Sequence, residues 1–282
     1  MISTKKKPGD AGLTVKVVTY TLLFVVVFAS LFPFYMMFVS STLSNKEILT
    51  ERPRLIFGSN LANNYKNFNE RFNVAKVLFN SIFITITYTI LSLLLHSMAG
   101  YALAKFEFKG KNLIFSIILI TLMIPLQVLL IPLFKMMNSI GWQNSYQAVI
   151  IPALANAFGI FLMRQNMISF PDSLIEAARI DGSGEFAIFF KIVLPTMRPA
   201  IGALGIYNFM AQWGNFMWPL IILSTKDKYT LPVALSALEG LQRRDFGVIM
   251  FGSTIATIPI MIIFLIFQRQ FISGMLGGSV KG

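Results

Sequence analysis

Asn208, Gln212 and Asn215 recur at intervals of four and three residues, with Trp213 beside them. On a helix those intervals place the three amides along one face. Planar amides next to an indole suit a polyhydroxylated ligand, bonding its hydroxyls and covering its C–H surface with an aromatic face. The same amides also hydrogen-bond packed helices to one another, and both readings stay open. Asn80, Ser81 and Gln127 are weaker members of the class, for which packing is the simpler account. His96 is the only titratable candidate for a proton relay. Without an acidic partner it reads as a packed or interfacial histidine bonded to a backbone carbonyl.

Other chemistries lack their residues. There is no G-x-x-x-x-G-K-[ST] loop, since the stretch Gly274–Gly278 has no Lys at the right offset. Neither H-E-x-x-H nor G-x-S-x-G occurs. With no Cys there is no disulfide framework, thiol catalysis or Cys-ligated metal. The chain reads as no enzyme by itself, with no cofactor of its own.

The elements that must position these residues are membrane spans. Of 282 residues, 55% are hydrophobic and 13% charged, whereas soluble domains carry about 25% charged residues. The apolar residues come in blocks, which makes the chain an all-α, polytopic integral membrane protein. That excludes most soluble enzymes and scaffolds. The net charge of +12 sits at block ends, facing anionic headgroups, and not on a basic face that would bind nucleic acid.

A bilayer needs about 20 mostly apolar residues per helix, roughly 17–25. Six stretches qualify: Val17–Val39, Val77–Leu103, Leu113–Phe134, Gln147–Met163, Pro199–Leu223 and Val248–Phe267. None holds an Asp, Glu, Lys or Arg. An ion-coupled carrier would place such groups inside the bilayer, so the energy for any transport must come from another chain. The first span is too long for the apolar region of a signal peptide and has no small-residue cleavage site after it. An even number of spans puts both termini on one side. The Lys5–Lys7 cluster and the short basic loop Lys105–Lys111 make that side the cytoplasm.

Between the fourth and fifth spans, Arg164–Arg198 is too polar for membrane and too patterned for a plain linker. Pro171 pre-sets a first helical turn, Asp172 suits its positive end, and Gly182 suits a left-handed stop. A second helix is expected from Gly184 to Val193, ended by Pro195. The expected product is a helix–Gly–helix knuckle whose small Ala177 and Ala178 would admit another surface closely.

Glu176-Ala-Ala, three residues, Gly182, nine residues, then Ile192-x-Leu194-Pro195 resembles the EAA loop of binding-protein-dependent ABC importer permeases. Trp213-Gly-Asn-Phe-Met-Trp-Pro-Leu, Tyr229-Thr-Leu-Pro and the tail from Phe271 to Gly282 are similar to its carbohydrate branch, and within it to the maltose G-type subunit. That branch more often has Asn at the position of Gly214.

The resemblance implies a type I importer permease fold with six transmembrane helices in a bacterial or archaeal cell membrane. Its domains would be 1–70 (tail, first helix, first outer loop), 71–270 (permease domain, with the EAA loop at about 164–198) and 271–282 (cytoplasmic tail). It implies import of a sugar or oligosaccharide, with a non-carbohydrate solute as the alternative. The implied partners are a second permease in a heterodimer, two ATP-binding subunits that hold ATP and Mg, an extracytoplasmic solute-binding protein, and membrane lipid. Glu176, Ala177, Ala178, Gly182, Ile192, Leu194 and Pro195 would couple to the ATPase. Asn208, Gln212, Trp213 and Asn215 would line the path. Gly277, Gly278 and Lys281 would reach between the ATPase subunits.

Overall fold

A computed structural model describes residues 13–240 and 244–276. Every described element is helical: α1 (Leu13–Ser40), α2 (Asn45–Ile48), α3 (Leu61–Arg71), α4 (Val74–Lys105), α5 (Lys111–Thr121), α6 (Leu126–Ser139), α7 (Tyr146–Ala153), α8 (Ala157–Ile168), α9 (Asp172–Ile180), α10 (Glu185–Ile188), α11 (Leu194–Thr196), α12 (Arg198–Trp213), α13 (Met217–Ile222), α14 (Leu231–Glu239) and α15 (Phe246–Leu276). A π-helical turn, Phe189–Val193, joins α10 to α11, and a short 3₁₀ turn covers Lys226–Lys228. Two compact units divide the chain: Met1–Phe68 with Gln242–Ile255, and Asn69–Leu241 with Ala256–Gly282.

Among the described residues three helices are long and apolar enough to cross a membrane, namely α1, α4 and α15. Counting each bent helix pair as one span brings the total to six. Several of the six stretches outlined by hydropathy are bent or broken. The third span breaks into α5 and α6 at 103°. Pro125 disfavours helical backbone at Ile124, and itself sits extended at ψ 134° as the N-cap of α6. The fourth bends by 43° between α7 and α8. There Asn156 leaves the helical region and its Oδ1 caps the N–H of Gly159 at 3.2 Å. The fifth stops at Trp213 instead of running to Leu223, and restarts as α13, where Pro219 lies in a first turn that has no need of its N–H. The sixth runs nine residues past Phe267, through Gly274. A charge-free apolar run specifies burial in lipid but not where the backbone turns.

In the first unit α1 buries only Val39, leaving its apolar side chains free to face lipid. Asn64 donates to the carbonyls of Ser41 and Leu43 at 2.8 and 2.9 Å, closing the loop that follows α1. Gly247 lets α15 approach that loop, because a Cβ there would stand 2.7 Å from the Leu43 oxygen. Ser44 and Glu47 form a reciprocal capping box on α2. The half-buried Glu47 carboxyl is held below its ordinary pKa, chiefly by the Ser44 backbone N–H.

In the second unit α4 packs along α8 and α12. The close approach is set by Gly100, where a Cβ would meet the Met163 side chain at 2.7 Å. Two apolar cores result. One gathers Tyr101, Met163, Met167, Ile175, Ile188 and Leu204, and the other Ile84, Tyr88, Met137, Val149, Trp218 and Ile222. Near the start of α4, Asn80 donates to the carbonyls of Asp227 and Tyr229 and accepts from the Tyr146 hydroxyl at 2.6 Å. Ser81 accepts from the Leu231 N–H at 2.7 Å. These two residues pack, as their weaker sequence case suggested. Asn144, at φ +55°, accepts from the N–H groups of Ser224 and Thr225 and clamps the same end.

Candidate coupling loop and solute path

The knuckle between the fourth and fifth spans forms as its residues dictate. α9 starts after Pro171, which serves as N-cap and not as the first helical residue. It ends in a Schellman motif. The Ser183 N–H reaches the Ala178 carbonyl at 2.9 Å, the Gly182 N–H reaches that of Arg179 at 3.0 Å, and Gly182 takes φ +78°. Across this turn Arg179 Nε donates to Glu185 at 2.7 Å. That bond pushes the guanidinium pKa still higher. Lys105, its side chain almost fully buried, ties α4 to the knuckle through the Phe170 carbonyl at 2.5 Å and the Asp172 carboxylate at 2.7 Å. Sequence reading missed Lys105. A lysine at the end of a span looks like an ordinary interfacial charge, and Asp172 lies 67 residues away.

The second arm departs from expectation at Pro195, which does not end it. The π turn carries hydrogen bonding past the proline: the Leu194 N–H bonds the Phe189 carbonyl, and α11 continues to Thr196. Widening the turn releases the carbonyl that the proline ring would otherwise strike. The arm then swings 82° into α12. Ala177 and Ala178 also separate. Ala178 is buried against the knuckle's own core, so only Ala177, with Glu176, presents an open surface. Ile192 and Leu194 pack on that core, and Pro195 is half-buried. Leu174, Ile180 and Phe186 stand exposed on the knuckle, Ile180 at 86%.

The second site is a cavity of about 660 Å³ in the second unit. Parts of the three breaks line it: Thr121 at the end of α5, Ala153, Ala155 and Asn156 at the fourth-span bend, and Asn215 after α12. Tyr88 and Gln212 add polar groups, while Leu129, Pro132, Leu133 and Met136 of α6 form an apolar wall. Backbone that leaves the helix inside a membrane is tolerated where it lines such a cavity.

The four fifth-span residues divide in two. Gln212 and Asn215 line the cavity, Asn215 Nδ2 donating to Gln212 Oε1 at 3.3 Å. Asn208 and Trp213 do not line it. Asn208 is fully buried and donates to Ser92 Oγ at 2.8 Å. Trp213 stacks on Phe209 and donates to the Ala256 carbonyl at 2.9 Å. Asn208 is engaged by Ser92 of α4, while Asn215, just past the end of α12, stays beside Gln212. Gln127 is exposed and outside the cavity lining. Tyr88, Thr121 and Asn156 were missed: single polar residues among apolar ones, they join only through bends that hydropathy does not reveal.

His96 is buried, with Nε2 3.0 Å from the Leu154 carbonyl. A carbonyl only accepts, so the proton is on Nε2. The bond satisfies a carbonyl at the fourth-span bend. No group of three or more possible metal ligands occurs among the described residues. Gly277, Gly278 and Lys281 lie outside the described residues.

Residues 96–276, which hold the knuckle and all of the cavity lining except Tyr88, match the family model of the binding-protein-dependent transport system inner membrane component. The chain belongs to this family. The permease is 39% identical over 261 residues to the arabinooligosaccharides transport system permease protein AraQ of Halalkalibacterium halodurans, covering 91% of this chain and 93% of that one. It is 38% identical over 265 residues to the lactose transport system permease protein LacG of Rhizobium radiobacter, at 94% and 96% coverage. It is 30% identical to the sn-glycerol-3-phosphate transport system permease protein UgpE of Pectobacterium atrosepticum, at 92% and 95%. Its fold matches a chain of a bacterial ABC transporter involved in the import of the acidic polysaccharide alginate. The TM-score is 0.82 at 22% identity, covering 95% of the permease and all of that chain.

Proposed function

We propose that this permease forms half of the translocation path of an ATP-driven importer for a sugar or oligosaccharide, and is driven through the Asp172–Thr196 knuckle. The observation that carries the reading is the amide-bearing cavity of about 660 Å³ at the broken helices, a volume suited to an oligosaccharide. Relatives named for arabinooligosaccharides and lactose, matched over nine-tenths of both chains, support the carbohydrate class. Gln212 and Asn215 offer donors and acceptors to hydroxyls, and Tyr88 offers a ring.

The exposed face of α9, with Glu176, Ala177 and Ile180, docks on an ATP-binding subunit. The Schellman turn at Gly182 and the core under Ile192, Leu194 and Pro195 make the knuckle stiff enough to transmit its motion. ATP and Mg are held by two such subunits and the chemistry is theirs. A second permease supplies the facing half of the path, and an extracytoplasmic binding protein delivers the solute. Both termini lie in the cytoplasm of a bacterial or archaeal cell.

The test is reconstitution of the whole complex in proteoliposomes with its binding protein. ATP-dependent uptake of labelled neutral oligosaccharides is the expected result. Failure of an ATP-binding subunit to copurify with the permease would sink the proposal.

A further inference from the structure

Carbohydrate cargo falls into two electrostatic classes: neutral oligosaccharides, and sugars that carry phosphate or carboxylate. The two ask opposite things of a path through a membrane. An anion leaving water needs a compensating cation, whereas hydroxyls need only neutral donors and acceptors.

The cavity at the broken helices answers to the second demand. Every residue that lines it is uncharged, and its polar groups are the Tyr88 phenol, the Thr121 hydroxyl and the amides of Asn156, Gln212 and Asn215. The nearest cation in sequence, Lys135, is not in the lining, although Pro132, Leu133 and Met136 of the same helix are. The helix ends give an anion no help either. Thr121 and Ala153, the last residues of α5 and α7, bring two C-terminal, partially negative ends to the wall. The N-terminal end of α8 is already occupied by the Asn156 side chain. Only α6, from Leu126, presents an opposing N-terminal end. The sum is no better than neutral for an anion, while hydroxyl protons find acceptors on the wall. Leu129, Leu133 and Met136 give the C–H surface of a sugar an apolar counterpart.

We infer that the half-path built by this chain is matched to an uncharged oligosaccharide and discriminates against sugar phosphates and uronates. The inference rests on the carbohydrate reading above and narrows it. The facing half belongs to the partner permease, so the test reads this half through substitutions on it.

The experiment uses the complete transporter with its binding protein in proteoliposomes and four probes: a neutral arabinan digest, galacturonotriose, sn-glycerol 3-phosphate and, as an uncharged solute that is not a carbohydrate, N-acetyl-trialanine amide. Uptake should be confined to the neutral digest. Gln212→Lys and Gln212→Glu should each lower that uptake by about tenfold or more, because either sign leaves a charge unpaired in the path, while Gln212→Asn retains most of it. Asn215→Lys and Asn215→Asp, at a half-exposed position where folding is safer, should repeat the pattern, with assembly checked by copurification of the ATP-binding subunit. Uptake of either anionic probe at the rate of the neutral digest would overturn the inference. So would a Lys variant that keeps full neutral uptake. Uptake of a neutral solute that is not a carbohydrate would sink the carbohydrate reading and still support an uncharged path.

Discussion

Nothing lies within 4 Å of the point where a Cβ on Gly182 would stand, so the cost of a side chain there is conformational and not steric crowding. At φ +78° a β-branched residue is strongly disfavoured, by about 1–2 kcal/mol or more, whereas Asn tolerates the region. Gly182→Val should therefore unseat the Schellman turn and abolish binding-protein-stimulated ATP hydrolysis in the assembled complex, and Gly182→Asn should restore much of it. Full stimulation in the Val variant would remove Gly182 from the coupling path. This residue was legible in the sequence because a turn leaves a local mark: a helix pattern, a glycine, a second helix pattern. The division between Ala177 and Ala178 was not. Both are small and adjacent, and only the packing of α9 decides which one faces the core. Gln212 and Asn208 show the same limit, since a shared helical face does not say whether a cavity or a neighbouring helix lies opposite.

The fourth-span bend depends on a fit between two helices. A Cβ on Gly159 would lie 2.0 Å from His96 Nδ1, so the imidazole that bonds Leu154 has its place only because residue 159 is glycine. Gly159→Ala should displace the ring, free the Leu154 carbonyl and destabilise the complex by about 1–3 kcal/mol, as overpacking generally does. Because the clash is with one side chain, the same substitution in a His96→Ala background should cost much less. Thermal unfolding of the single and double variants measures that coupling. Additive effects would disconnect the two residues. The existence of six apolar segments was legible because span length follows from bilayer thickness. The breaks were not, since Leu122–Ile124 is as apolar as its flanks. Pro125 and Pro152 marked the neighbourhoods of two bends, but a proline does not disclose whether the chain kinks slightly or turns by 103°.

For the molecule as a whole, the orientation of the spans rests on a narrow charge asymmetry, and the absence of native cysteine makes it simple to check. Lys109 and Asp227 are both exposed and flank opposite ends of the second unit's spans. A single cysteine at Lys109 should react with an impermeant maleimide only after the membrane is opened, and one at Asp227 should react in intact cells. The reverse pattern would invert the proposed topology. The six-span architecture and the family were readable from end to end, because hydropathy and motif spacing both extend along the chain. The cavity was not, because its wall is assembled from residues between 88 and 215. One consequence of the π turn at Phe189–Val193 concerns insertions and deletions. A π turn holds one residue more than an α-helix would use for the same rise. Removing a residue there would tighten the turn to α-helical geometry and press the Pro195 ring against the carbonyl four residues before it. The nine-residue interval between Gly182 and Ile192 is thus guarded against shortening by the proline just beyond it, so among functional descendants of this chain that interval should tolerate substitutions far better than the loss of a residue.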